Sequence, residues 1–232
     1  MARISEKSLE MNINENLIRI IRNWGDSFSR TFIYGYTLRE EARLGFDSSI
    51  NLPNSSFYLF ALQYKAPKAK RYSTYYFEIN NDRRRLQHYS LFISNIIYGN
   101  VWYAFPLFIS TRELAGYSPN FLERTCFASV DKFPLDKINM KKIIIGVDSW
   151  NCRIIIFYSK EYKIEGEDGK KFLENLREKL MPISISKIKE KKLSWNEIYS
   201  IVERLGIDKK YIDRIRVKKG RRYYRIKTGF FY

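Results

Sequence analysis

The chain has 232 residues, of which 45% are hydrophobic and 29% charged, a composition that indicates a folded globular protein and excludes extended disorder. Its 42 Lys and Arg outnumber its 25 Asp and Glu, and the net charge of +17 predicts a polyanionic partner. Nucleic acid is favoured over a membrane, because the basic stretches alternate with aromatic residues and no apolar run approaches the roughly 18 residues of a membrane span. A heat-adapted protein with Lys-rich solvated faces is the alternative interpretation of the charge.

The two cysteines, Cys126 and Cys152, are too few and too far apart in sequence for a disulfide framework or a Cys-x-x-Cys zinc site. The first 21 residues carry scattered charges rather than a basic end followed by an apolar block. We therefore expect a protein of a reducing, cytoplasmic compartment that is neither secreted nor inserted in a membrane.

The first 165 residues mix helical and strand patterns, which is typical of an α/β or α+β layer domain. Apolar residues at spacings of three and four predict a helix over residues 14–30 that continues to Leu44 and is interrupted by Gly45. The later elements are strands over 47–52 and 57–65 around a turn at 53–56, a strand over 72–79, a helix over 82–97, a strand over 101–109, and two strands within 142–162.

The pattern changes after Gly166, so we place a domain boundary between residues 165 and 166. Helices are predicted over 170–180 and 194–205, the second beginning with a capping box from Ser194 to Glu197. Residues 215–232 alternate basic with aromatic or branched residues and predict a β-hairpin. We expect residues 166–232 to form a small basic extension, of a winged-helix-like kind by analogy.

Polar residues at the strand predicted over 57–65 suggest a catalytic site. Side chains two apart on a strand share a face, so Gln63 and Lys65 point the same way, and Asp47 on the preceding strand is the expected partner of the Lys65 charge. Phosphodiester hydrolysis needs a hard cation held by oxygen ligands and a positive group beside the attacking water. Asp47, the Gln63 amide, the Tyr64 carbonyl and Glu41 are the candidate oxygen ligands, and Lys65 is the candidate cation. Taken singly, Asp47 is better interpreted as a turn residue and Lys65 as a surface residue at a strand end.

The order Glu41, Gly45-x-Asp47, apolar strand, Gln63-x-Lys65 resembles the PD-(D/E)xK nuclease superfamily, which includes restriction enzymes and Holliday-junction resolvases. The resemblance covers roughly residues 14–109. It implies a restriction-endonuclease-like three-layer core with a mixed central sheet flanked by helices, and a DNA endonuclease dependent on Mg²⁺ or Mn²⁺. In such nucleases the counterparts of Asp47, Gln63 and Glu41 hold the metal and the counterpart of Lys65 assists the attacking water. A homodimer is the expected assembly.

One residue departs from the superfamily pattern, and the position of the helical Glu stays open. Gln63 stands where the superfamily usually has Asp or Glu, and a neutral amide weakens Mg²⁺ binding; transposon end-cleaving members resemble this Gln-x-Lys form. Glu40 competes with Glu41, which we prefer because of its spacing to Gly45. The alternative functions are a nucleic-acid-binding protein that keeps the fold without the metal site, and a structural protein of a virus or mobile element.

The next predicted helix and the basic stretches supply the candidate nucleic-acid contacts. Gln87 and Tyr89 resemble the Gln-x-x-Tyr helix of RecB-type nucleases with one residue fewer between them, although core packing explains Tyr89 equally well. His88, the single histidine, is interpreted as an inert helix-surface residue. The predicted nucleic-acid-binding residues are Lys68, Lys70, Arg71, Arg83, Arg84, Arg85, Gln87, Arg221, Arg222 and Arg225.

Overall fold

The computed structural model describes residues 4–52, 58–80, 87–133, 142–157, 161–180 and 194–204, which form a mixed α/β structure. The helices are α1 (Glu6–Arg22), α2 (Leu38–Leu44), α3 (Gln87–Tyr98), α4 (Thr111–Gly116), α5 (Gly169–Leu180) and α6 (Trp195–Arg204). The strands are β1 (Phe32–Gly35), β2 (Ser48–Asn51), β3 (Tyr58–Tyr64), β4 (Ala69–Arg71), β5 (Thr74–Asn80), β6 (Val101–Pro106), β7 (Thr125–Ser129), β8 (Lys142–Asp148), β9 (Arg153–Phe157), β10 (Tyr162–Glu165) and β11 (Glu167–Asp168). Within these ranges, no helix has the length and apolar character that crossing a membrane requires.

Two sheets divide the strands. The first has the order β1-β2-β3-β6-β7-β11 and is mixed, because β3 and β6 are parallel whereas its other neighbours are antiparallel. The second has the order β10-β9-β8-β5-β4 and is antiparallel throughout. The sequence predicted one central sheet flanked by helices, so the second sheet is an addition to that architecture.

Each face of the first sheet has its own buried cluster. On one face, Phe60, Leu62 and Trp102 pack with residues of α1 and α5. On the other face, Ala61, Tyr103 and Phe105 pack with residues of α3, α6 and the second sheet. Alternate residues of β3 and β6 therefore belong to different clusters, as the strand period of two requires. The first sheet is the middle layer of the molecule.

Helix α1 begins earlier than the sequence predicted. Ser5 caps it, with its side chain accepting a hydrogen bond from the Ser8 amide at 3.0 Å. Leu9, Ile13, Leu17 and Ile21 then bury one apolar stripe against the first sheet.

The continuous helix predicted over residues 14–44 is wrong, because α1 ends at Arg22 and β1 lies before α2. Gly25, with φ of 143°, gives the chain a conformation that L side chains rarely adopt. Residues Phe32 to Gly35 then pair with β2 rather than continuing a helix. The apolar spacing that suggested one helix thus arises from separate elements, since α1 packs in the cluster with Phe60 whereas Leu44 of α2 packs in the cluster with Ala61.

The sequence predicted β2, β3, β5, β6, β8 and β9, and the structure confirms them with small shifts of their ends. It did not predict β1, β4, β7, β10, β11 or α4. Residues 53–56 and 82–86, on which a turn and the start of a helix were predicted, lie outside the described residues.

Cys126 and Cys152 form a disulfide, with their Cα atoms 5.6 Å apart. Cys126 lies on β7 in the first sheet, and Cys152 immediately precedes β9 in the second. The cysteines are 26 positions apart in sequence, and the bond was not predicted because it forms only where the two sheets bring the cysteines together. The bond joins the sheets covalently.

The predicted boundary at residue 165 falls between β10 and β11, and the residues after it contribute to the first sheet and its core. Strand β11 pairs with β7, and Phe172 of α5 stacks on Phe127 with ring centroids 4.2 Å apart. A Cβ at Gly169 would lie 2.4 Å from the Leu122 carbonyl oxygen, so α5 approaches that backbone as only glycine permits.

The predicted second helix of the extension is present as α6. Its capping box is confirmed, since the Glu197 amide donates to the Ser194 hydroxyl at 3.2 Å and the Ser194 amide donates to the Glu197 carboxylate at 2.6 Å. The predicted hairpin over 215–232 lies outside the described residues.

Candidate functional site

The Gly-x-Asp sequence has a structural basis at the end of α2. Gly45 caps α2 in the left-handed conformation, with φ of 88°, and a Cβ there would lie 2.8 Å from the Leu91 amide nitrogen on α3. The backbone turns at this point, and the Asp47 amide then donates to the Leu62 carbonyl of β3 at 2.9 Å. Asp47 is therefore fixed at the start of β2, beside β3.

Asp47 and Gln63 are in direct contact. The Gln63 Nε2 donates to Asp47 Oδ2 at 2.7 Å and to the Tyr64 carbonyl oxygen at 2.9 Å. The Tyr64 amide donates to the same Asp47 oxygen at 2.7 Å. Both side chains are buried. The structure thus brings together three of the predicted metal ligands, those of Asp47, Gln63 and Tyr64.

The Gln63 side chain leaves one polar atom unused. Its Oε1 is buried and has no hydrogen-bond partner among the described residues. Nε2 lies between the Asp47 carboxylate oxygen and the Tyr64 carbonyl oxygen, where a cation would lie. Rotating the side-chain amide by half a turn exchanges the positions of Nε2 and Oε1. With the amide turned, carboxylate, amide and carbonyl oxygens converge, which is the donor set that hard cations such as Mg²⁺ prefer.

Burial determines the protonation of Asp47. Desolvation raises the pKa of its carboxyl to about 8; the Lys65 charge and the Tyr64 amide act in the opposite direction, and the Glu6 and Glu10 carboxylates raise the pKa further. Asp47 therefore carries a proton at neutral pH unless another cation replaces it.

Lys65 is buried, yet its ion-pair partner is not the one predicted. Its Nζ lies 3.8 Å from Oε1 of Glu6 on α1, and the other oxygen of Glu6 accepts a hydrogen bond from the Ala66 amide at 3.1 Å. Asp47 interacts with Lys65 only through the electrostatic field, because its carboxylate is already bound by Gln63 and Tyr64. Glu6 holds the end of β3 and the Lys65 side chain together.

Helix α1 supplies two acidic residues that the sequence reasoning missed. Glu6 and Glu10 are four residues apart and so lie on one face of the helix. Glu10 is buried and accepts a hydrogen bond from Lys7 at 2.9 Å. The signal was available in the Ser5 cap and in the apolar spacing from Leu9 onward, but the helix was predicted to start only at residue 14.

Glu41, rather than Glu40, faces this group. Burial raises the pKa of the Glu41 carboxyl, the Glu10 carboxylate adds to the effect, and Lys7 opposes it. Glu40 instead completes a capping box at the start of α2, accepting from the Thr37 amide at 3.0 Å. We call the charged residues Glu6, Lys7, Glu10, Glu41, Asp47 and Lys65, together with Gln63, the acidic cluster.

The acidic cluster brings few carboxylate ligands together at one point. Within the described part of the chain, no three Asp, Glu, His or Cys side chains converge closely enough to hold an ion. The donors that do converge are therefore one carboxylate, one amide and one carbonyl. Such a set suits Mg²⁺, which commonly takes one or two protein carboxylates and completes its shell with water and substrate phosphate.

The residues predicted on the next helix lie mainly in the core. Tyr89 is buried in the cluster on the α3 face, which favours core packing, and Gln87 is half-buried at the start of α3. His88 is fully buried, so its interpretation as a helix-surface residue is wrong. Its Nδ1 lies 2.8 Å from the Tyr103 hydroxyl, and burial lowers the pKa of its imidazole to about 3.

Lys68, Lys70 and Arg71 are exposed around β4, an edge strand. Lys70 pairs with Glu113 at 3.2 Å and lies over the Tyr75 ring at 4.8 Å. The other predicted basic contacts, Arg83, Arg84, Arg85, Arg221, Arg222 and Arg225, lie outside the described residues.

Comparison with protein-family models, with curated proteins and with solved structures finds no match to this chain.

Proposed function

We propose that the chain is a metal-dependent DNA endonuclease of the PD-(D/E)xK type, in its Gln-x-Lys form. The observation that carries the proposal is the contact of the Gln63 amide with both the Asp47 carboxylate and the Tyr64 carbonyl, beside a buried Lys65. Burying several charged groups is costly for stability, and a protein without chemistry to perform has little reason to keep them.

The arrangement of the first sheet supports this proposal. Strands β1, β2 and β3 form an antiparallel series, and β6 joins β3 in parallel after α3. Helix α1 covers one face and α3 the other. A mixed sheet between helices is the core that the resemblance implies. The second sheet packs on the same face of this sheet as α3.

Most residues of the acidic cluster then have a role. Asp47, the Gln63 amide oxygen and the Tyr64 carbonyl hold Mg²⁺ or Mn²⁺, with Glu41 the nearest predicted further ligand. Such a cation, when bound, offsets phosphate charge and lowers the pKa of bound water. Lys65 orients the attacking water, and Glu6 keeps the Lys65 ammonium in position through the 3.8 Å pair.

DNA is the substrate that the charge favours. The net charge of +17 attracts a polyanion, and Lys68 and Arg71 are exposed within seven residues of Lys65. We propose a homodimer, because cutting two strands requires two such sites.

The second candidate is a nucleic-acid-binding protein with the same core and no catalysis. Gln63 favours it, since its amide already satisfies Asp47 and the Tyr64 carbonyl without any cation. Both candidates predict salt-sensitive DNA binding, and only the first predicts cutting.

The deciding experiment incubates the purified protein with supercoiled plasmid and with a four-way junction in EDTA, Mg²⁺ or Mn²⁺. We expect cutting that needs the metal and that falls at least about a hundredfold in Asp47→Ala and Lys65→Ala, because these changes remove a metal ligand and the water-orienting cation.

The matched control is Lys163→Ala, which removes an exposed lysine of the edge strand β10 and should cut normally. Circular dichroism checks that each variant is folded, and Asp47→Asn keeps the shape of the side chain if Asp47→Ala does not fold. Binding without cutting under every metal would favour the second candidate, and cutting that survives in Asp47→Asn would refute the proposed site.

A further inference from the structure

Tyr72 and Trp150 are the most exposed large hydrophobic side chains among the described residues, at 98% and 84% of full exposure. An aromatic side chain in the core contributes more to stability than any other, and leaving two of them in water forgoes that contribution. Tyr and Trp side chains are enriched at binding interfaces relative to the rest of a protein surface.

The two residues lie on neighbouring turns at one end of the second sheet. Tyr72 is in the turn between β4 and β5, and Trp150 is in the turn between β8 and β9. Thr74 pairs with Asp148 across β5 and β8, and the Ser149 amide donates to the Ser73 carbonyl at 3.0 Å. The backbone hydrogen bond therefore joins the two turns directly.

The turn that carries Trp150 is well ordered. The Asp148 carboxylate accepts from the Trp150 amide at 2.9 Å, and the Asp148 carbonyl accepts from the Cys152 amide at 3.0 Å. Cys152 is in turn linked to β7 by the disulfide. A ligand that stacks on Trp150 therefore loses little affinity to the ordering of the turn.

A cleft of about 570 Å³ lies beside Trp150, between α1, the residues around Leu122 and the start of α5. Arg19 and Lys170 line it and are exposed. Its acidic residues are Glu123 and Asp168, and Asp168 is engaged in capping α5 through the Lys171 amide at 2.9 Å. Arg71 directly precedes Tyr72 in sequence, Arg153 lies three positions after Trp150, and both are exposed.

We propose that Tyr72 and Trp150 form a stacking platform for unpaired bases of DNA, with the surrounding basic side chains contacting the adjacent phosphates. The proposal rests on the proposed function and names its substrate class: DNA that has a single-stranded stretch beside the cleavage point. Aromatic faces beside basic side chains are what single-stranded nucleic acid binds, because every base has a π-face. In an intact duplex these faces are covered by neighbouring bases.

The platform lies within reach of the acidic cluster. The chain passes from Lys65 to Tyr72 in seven residues, so the two are separated by at most about 25 Å. One DNA molecule can therefore contact both.

The test measures binding by fluorescence anisotropy in EDTA, where cutting does not occur, with a twenty-nucleotide thymidine strand, a forked duplex and a blunt duplex. We expect the strand and the fork to bind more tightly than the blunt duplex at equal salt. Trp150→Ala and Tyr72→Ala should each weaken binding of the strand about tenfold, because each removes one stacking contact. Trp150→Phe and Tyr72→Phe should retain most of it.

Leu38→Ala is the matched control, since Leu38 is 83% exposed on α2 and carries no aromatic ring. It should change no affinity. Equal binding of the three DNAs, or equal weakening of strand and blunt duplex by Trp150→Ala, would overturn the platform while leaving the nuclease proposal intact. Asp47→Ala should lose cutting but keep the affinities of the unaltered chain for the three DNAs in EDTA.

Discussion

Two buried polar groups lie on adjacent strands of the first sheet, and Gln63 of one pairs in register with Tyr103 of the other. In the acidic cluster, Asp47 is surrounded by charges of both signs, and its pKa is raised to about 8. In the second group, His88 meets the Tyr103 hydroxyl among aromatic rings, and its pKa is lowered to about 3. Burial makes both groups neutral near pH 7.

The His88 group and the Asp47 group differ in their charged neighbours and in whether a cation can replace a proton. Among the described residues, His88 has the neutral Tyr103 hydroxyl as its partner and no charged neighbour that alters its pKa, so the pair is a hydrogen bond within a packed core. Asp47 holds a proton that a cation can replace, with Lys65 and the Tyr64 carbonyl already in place. Burial alone therefore carries no functional argument, and the proposed metal site rests instead on burial among unbalanced charges.

The largest expected effect is an opposite dependence of stability on pH. Asp47 keeps its proton in the folded chain up to about pH 8 but loses it near 3.8 when unfolded, so its contribution to stability is lost as pH rises through that interval. His88 binds a proton below about 6.5 when unfolded but only below about 3 when folded, so its contribution is lost as pH falls. Each effect amounts to several kcal/mol across its full window.

Urea unfolding from pH 4 to pH 9 measures both contributions. Asp47→Asn should flatten the loss of stability toward pH 8, and His88→Phe should flatten the loss toward pH 4. Mg²⁺ should stabilise the unaltered chain more at pH 8 than at pH 6, because binding displaces the Asp47 proton. If Asp47→Asn has the same alkaline slope as the unaltered chain, Asp47 is not protonated as described.

The acidic cluster was more predictable from the sequence than the sheets around it. Asp47, Gln63 and Lys65 were identified because strand periodicity and a short connection restrict where their side chains point. Glu6 was missed, since its link to Lys65 spans 59 positions and depends on how α1 packs. The disulfide and the burial of His88 depend likewise on the second sheet and on β6, which contact those residues across long stretches of sequence.

An intermediate effect is expected for Gln63→Glu, which adds the carboxylate usual in the superfamily. Affinity for Mg²⁺ should rise about tenfold or more by calorimetry, because the number of charged ligands sets the affinity of such sites. Without metal the variant should be less stable, because two carboxyl groups replace a 2.7 Å hydrogen bond. Gln63→Leu is the control and should bind no more tightly than the unaltered chain; a Gln63→Glu variant that behaves like it would rule out Gln63 as a ligand.

The smallest effect should come from replacing the His88 and Tyr103 pair together. Tyr103→Phe alone leaves the buried Nδ1 of His88 without its partner and should cost about 1–3 kcal/mol. His88→Phe alone should cost a similar amount, since it leaves the Tyr103 hydroxyl unpaired. The double variant should recover part of this loss in a double-mutant cycle, because apolar groups of similar shape replace both partners. Plasmid cutting by the double variant should remain within about threefold of normal, since neither side chain touches the reacting groups. A loss as large as that of Asp47→Ala would mean that His88 and Tyr103 belong to the same functional site as Asp47.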